Sequence, residues 1–148
     1  MTYAKDTEVP FDRSIAEIVG LVRKAGADQI GHMEERQRFT LQFMLDDRLV
    51  RFRVSFLSAA EIEEMRGPRQ DPTKVDAQWR RQRARALLLV IKAKLESVAS
   101  GVETFEQAFL ANVVMADDRT VYERIVAPIA AEYEARKPSQ LLIGGPPK

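Results

Sequence analysis

The chain has 148 residues, 45% hydrophobic and 30% charged, with 23 Lys and Arg against 22 Asp and Glu. That length suits one domain with its own core, and a formal charge of +1 sets up no overall field to draw polyanions. With no cysteine and one histidine, His32, disulfides, thiolate catalysis, the common His-based triads and most zinc sites are excluded.

The opening segment, MTYAKDTEVPFDRS, has neither an apolar run nor a small-residue cleavage site. The longest apolar run, Ala86 to Ile91, falls far short of the roughly 20 residues a membrane helix needs. The expectation is a cytoplasmic protein without a membrane span. Ser14 with Glu17 has the spacing of a capping box, and Ile15, Ile18, Val19 and Val22 then form one apolar stripe. A helix is predicted from about Ile15 to Ala25, closed by Gly26 in a left-handed conformation.

Asp28 to Glu34 reads as a weak strand interrupted by Gly31. The next two runs are stronger. Phe39, Leu41, Phe43 and Leu45 alternate with polar neighbours, as do Val50, Phe52, Val54 and Phe56, and Asp46-Asp47 separates the runs. A two-residue hairpin then places Phe43 opposite Val50, Leu41 opposite Phe52 and Phe39 opposite Val54. A slip of one residue would mix the two faces, so the alternation specifies the register.

Ser58 with Glu61 predicts a short helix stopped by Gly67-Pro68. Met65 to Thr73 reads as a loop, and a long helix as Asp76 to Ser100, with a stripe of Ala84, Leu87, Leu88, Ile91, Leu95 and Val98. Trp79, Leu89 and Val90 lie off that stripe, which marks a central helix packed on several sides. Thr104 and Gln107 cap a short helix reaching about Ala111, Val113 to Met115 reads as a brief strand, and Ala116 to Arg119 as a turn. Thr120 with Glu123 opens a last helix to about Arg136, with Pro128 inside it. Residues 137–148 read as a flexible tail after a single domain over 1–136. The fold class is α+β: an N-terminal helix, a small antiparallel three-stranded sheet with a central hairpin, a long central helix and C-terminal helices.

Two clusters offer binding chemistry. Arg80, Arg81, Arg83 and Arg85 stand beside Trp79 at the start of the predicted long helix, where each cation opposes the macrodipole by about 0.3–1 kcal/mol. A phosphate backbone would compensate them. So would internal ion pairs to Glu61, Glu63, Glu64, Asp71 or Asp76, and Trp79 reads either as a base-stacking platform or as a core residue. The second cluster is the polar face of the hairpin, with Arg38, Arg51 and Arg53 beside Thr40 and Gln42. It suits a nucleic-acid backbone or an ordinary solvated face. Lys92 and Glu96 have the spacing of an i, i+4 pair.

His32 has no identifiable base or ligand partner, and Asp46-Asp47 and Asp117-Asp118 are explained by turns. Gly144-Gly145 lacks the context of a phosphate loop, and neither G-x-S-x-G nor H-E-x-x-H occurs. No catalytic residue, metal ligand or cofactor is assigned, and the chain reads as non-enzymatic.

VPFDRSIAEIVGLVRKAGAD, AQWRRQRARALLLVIKAKLESVASGVETFEQAFLANVV and the following DDRTVYERI resemble a family of uncharacterised phage and prophage proteins. The resemblance spans most of the chain and is weakest over Ser58 to Thr73 and the tail. It implies a bacterial host cell as the setting, and it carries no activity or site residues. The helix, three strands, helix order also resembles that of double-stranded-RNA-binding domains, by topology alone and with a longer loop before the long helix. The expectation is a phage-encoded accessory protein that binds nucleic acid through its arginines. The alternative is a protein-binding counter-defence protein, anti-CRISPR-like or another immune inhibitor, that occupies a host immune complex; a host or phage protein complex is the partner expected in that case. Oligomeric state stays open.

Overall fold

The computed structural model describes residues 4–139, so most of the tail, residues 140–148, lies outside the described residues. In chain order the elements are α1 (Phe11–Lys24), β1 (Asp28–Glu34), β2 (Arg38–Leu45), β3 (Arg48–Ser55), α2 (Ala59–Met65), α3 (Pro72–Ala99), α4 (Phe105–Phe109), a 3-10 segment (Leu110–Asn112) and α5 (Val121–Ala135). The α+β class is as expected.

The hairpin forms in the register that the alternation requires, with Phe43 opposite Val50, Leu41 opposite Phe52 and Phe39 opposite Val54. Asp46 and Asp47 both take left-handed backbone, with φ of 53° and 60°. This turn matches the twist of the strands, and a short polar side chain tolerates it better than most. β1 pairs with β2 at the edge of the sheet, and its ladder is irregular between Asp28 and Gly31.

Both long helical starts lie upstream of where the sequence placed them. α1 begins at Phe11 behind Pro10, with no side-chain cap. The expected Ser14 cap is absent: Ser14 lies inside the helix, fully buried, its hydroxyl without a hydrogen-bond partner. Phe11 explains the extension, because its ring packs edge-on against Phe39 and Phe56 at 5.4 and 5.9 Å. Burial of that ring outweighs a cap worth about 1 kcal/mol. Gly26 has φ 103°, the left-handed exit expected of it.

α3 starts at Pro72, with Asp71 accepting from the Thr73 N–H. Pro72 had read as loop, yet a proline in the first turn has no amide to waste and a φ already set for the helix. The arginine cluster therefore sits in the third and fourth turns of a 28-residue helix, and an adverse macrodipole, which acts over the end turn only, does not apply to it.

The capping boxes at Ser58, Thr104 and Thr120 all form, each closing reciprocally on the third residue. Val113 to Met115 makes only single bridges, Val50 to Val113 and Val114 to Thr120, and not a strand.

One core joins the inner sheet face (Phe39, Leu41, Phe43, Val50, Phe52) to Ile15, Ile18 and Val22 of α1, Leu87, Leu88 and Ile91 of α3, and Phe105 and Phe109 of α4. α3 packs against α1, α2, α4 and β3, the central position its two-sided apolar pattern implied. α5 contributes nothing to that cluster. It packs mainly on the 3-10 segment, and only Val121 of its 15 residues is buried.

Candidate docking surface

The arginines singled out by the sequence are mostly neutralised from within. Arg51 is buried: its guanidinium donates to Gln42 Oε1, to the Asp118 carbonyl at 2.8 Å and to Asp118 Oδ1 at 2.7 Å. Arg53 lies 3.5 Å from Glu123, and Arg38 3.1 Å from Glu35. On α3, Arg80 pairs with Asp76 at 3.3 Å and lies over the Phe56 ring at 3.9 Å. Arg85 reaches Glu17 of α1 at 3.0 Å.

Among the described residues, Arg81 and Arg83 alone in these two clusters have no carboxylate partner. Arg81 donates to Gln78 Oε1 at 2.7 Å, and Arg83 stacks on Trp79 at 3.8 Å with its Nε buried and without a partner. Trp79 in turn donates its indole N–H to the Ser55 carbonyl at 3.1 Å, which fixes it as a half-buried rim residue. Arg53, Trp79 and Arg83 line one shallow hollow; Arg38, Arg51, Arg80, Arg81 and Arg85 do not.

The carboxylates expected nearby are mostly committed to other groups. Glu61 closes the α2 capping box, Glu63 pairs with Arg66 at 2.7 Å, and Asp71 caps α3. Only Asp76 serves as foreseen. Lys92 and Glu96 do not form the pair their spacing allows, since no ion pair within 4.0 Å joins them. Asp117 and Asp118 are occupied by turn and ion-pair duties with Arg124 and Arg51. His32 is exposed on β1, with its ring 5.6 Å from that of Phe39. Among the described residues no group of three or more His, Asp or Glu could hold a metal ion, and no helix is long and apolar enough to cross a membrane.

A different surface stands out on α5. Tyr122, Val126, Ile129 and Tyr133 are all exposed, the two tyrosines by 57% and 82%. Their spacing of 4, 3 and 4 residues puts them on one face of a helix, the seam by which one helix packs on another. That spacing was legible in the sequence; their exposure was not, because an apolar stripe ordinarily faces its own core.

The root of α5 is firmly held. Thr120 and Glu123 exchange backbone and side-chain hydrogen bonds. Glu123's carboxyl lies below its ordinary range, chiefly because it accepts the Thr120 N–H; desolvation opposes this, and the Thr120 hydroxyl, Arg53 and Arg51 reinforce it. The far end closes on Arg136 in a left-handed conformation, and the Ser139 hydroxyl donates to Glu132 at 2.9 Å.

No family model matches the chain, and no curated protein or solved structure matches it.

Proposed function

We propose that the protein is a docking module that lays α5 into an apolar groove, with a basic rim, on another protein. One observation carries the reading: four large side chains at helix-seam spacing face outward from a helix that leaves its own core uncovered by them. A solvated 15-residue helix is marginal by itself, and an amphipathic helix seated in a partner's groove is a recurrent recognition mode.

The partner's chemistry follows from the borders of the stripe. At about 100° per residue, the charged residues that flank it are Glu123 and Glu134 on one side and Glu132 on the other, while Arg124 turns away. A basic rim complements those glutamates. Antiparallel pairing with a second copy that stacks Val126 on Ile129 brings Glu123 against Glu132, which disfavours self-association. In the phage setting that the sequence resemblance implies, the partner is a component of a host or phage assembly, and counter-defence is one form such binding takes.

Nucleic acid keeps, among the described residues, only Arg81 and Arg83 as cluster cations without a carboxylate. Two phosphate contacts give a log–log salt slope of roughly −1.8.

A photo-crosslinking residue at position 129, with position 64 on α2 as the exposed polar control, tests the docking reading in host cells. One discrete protein adduct from 129, absent from 64 and abolished by Val126→Asp, is expected. Adducts that are identical at both positions, or none at 129, would overturn it.

A further inference from the structure

A cleft of about 580 Å³ opens between the last turn of α1, the β2–β3 turn, the C-terminal half of α3 and α4. That volume lies within the range of small-molecule sites. Its floor is apolar, formed by Leu21, Leu45, Leu95, Val98, Phe105 and Phe109, and its charged lining is Lys24, Lys92, Asp46 and Glu96. A second hollow continues along the α1–α3 seam and shares Leu21, Lys24 and Lys92 with the first.

The charges divide unevenly between the two spaces. Asp46 and Glu96 line only the first. The second contains Lys24, Lys92 and Arg85 against one carboxylate, Glu17, which is already bound by Arg85 at 3.0 Å and Arg13 at 3.7 Å. Neither lysine forms an ion pair among the described residues, including the one Glu96 could have offered Lys92. Two ammonium groups on facing helices therefore mark the junction of an apolar space and a cationic one. An anion held at that junction would be attracted by both groups.

We propose that the cleft binds an aliphatic monocarboxylate, its chain on the apolar floor and its carboxylate between Lys24 and Lys92. The chain supplies affinity through buried methylenes; the lysines supply orientation and select an acid over an alcohol or an amine. The site is separate from α5 and does not depend on the docking reading.

Titration of the ¹⁵N-labelled full chain with decanoate and decylammonium below their micellar concentrations, and with decan-1-ol below its solubility limit, tests this. Decanoate is expected to move the amides of Leu21, Lys24, Lys92 and Val98 and to bind at least tenfold tighter than the other two. The double substitution Lys24→Gln/Lys92→Gln should weaken decanoate about tenfold and leave decanol unchanged, with the amides of Phe43 and Phe52 reporting an intact fold. Decanol or decylammonium binding as tightly as decanoate, unchanged decanoate affinity in the double variant, or movement confined to Val126 and Ile129 would each overturn the proposal.

Discussion

Arg51 and Asp118 meet at 2.7 Å across 67 residues of chain, the arginine side chain 6% exposed and the aspartate 80%. The guanidinium is therefore buried against the sheet while its counter-ion stays wet. Asp118→Asn keeps a residue that tolerates the φ of 65° found there but removes the carboxylate bonded to the buried cation at 2.7 Å, leaving it only the more distant Glu123. Solvation of the aspartate holds the loss below that of a fully buried pair, and about 2 kcal/mol is expected in urea denaturation. A change under about 0.5 kcal/mol would place the contact among ordinary surface pairs.

Ser14→Ala separates the two readings of that residue by the sign of the effect. Loss of an N-cap would cost about 1 kcal/mol. The buried hydroxyl without a partner predicts a gain of about 1 kcal/mol instead. Thermal denaturation of the single variant distinguishes them.

Asp47 occupies the second left-handed position of the hairpin turn, at φ 60°. Asp47→Gly relieves that strain, and although glycine frees the unfolded chain somewhat, a net stabilisation of about 0.5 kcal/mol is expected. Asp47→Val should destabilise by more than that, measured in the same denaturation series.

Acid should loosen the root of α5. Glu123 has a folded-state pKa below its unfolded value, so its contribution is complete above about pH 4.3, the ordinary glutamate value, and is lost as pH falls through the lower folded value. Melting temperature followed from pH 6 to pH 3 should fall less steeply for Glu123→Gln than for the native chain. Equal slopes would show that the Thr120 and Arg53 contacts carry no linkage.

Val126→Asp/Ile129→Asp should cost no more than about 2 kcal/mol, well short of a core substitution, because both side chains are 41% exposed. Crosslinking to a partner should vanish. A large fall in melting temperature would instead show that the stripe is covered within the molecule.

The hairpin was legible because a period of two, with one face to be buried, admits one register; Phe39, Leu41 and Phe43 leave no alternative. The helix starts were less legible. Phe11 extends α1 by packing on Phe39 and Phe56, and Pro72 opens α3 although local chemistry reads it as a breaker. The arginines were visible as a density of charge, but the groups that neutralise Arg85, Arg51 and Arg53 lie 68, 67 and 70 residues away. Local patterns carry no signal at that range. The α5 stripe failed differently: its spacing was present, and only the tertiary structure reveals that none of the other described residues covers it.

The fastening of α5 at one end gives it the mechanics of a cantilever. Thr120, Glu123 and the Arg51–Asp118 pair all grip the root, while 15 residues carry the free end about 22 Å away at 1.5 Å per residue. A tilt of roughly 10° at the base then swings the tip by about 4 Å, close to the width of a side chain. Tyr133, near the tip, would travel furthest of the stripe, so a substitution that alters the tilt at the anchor would re-aim the whole arm.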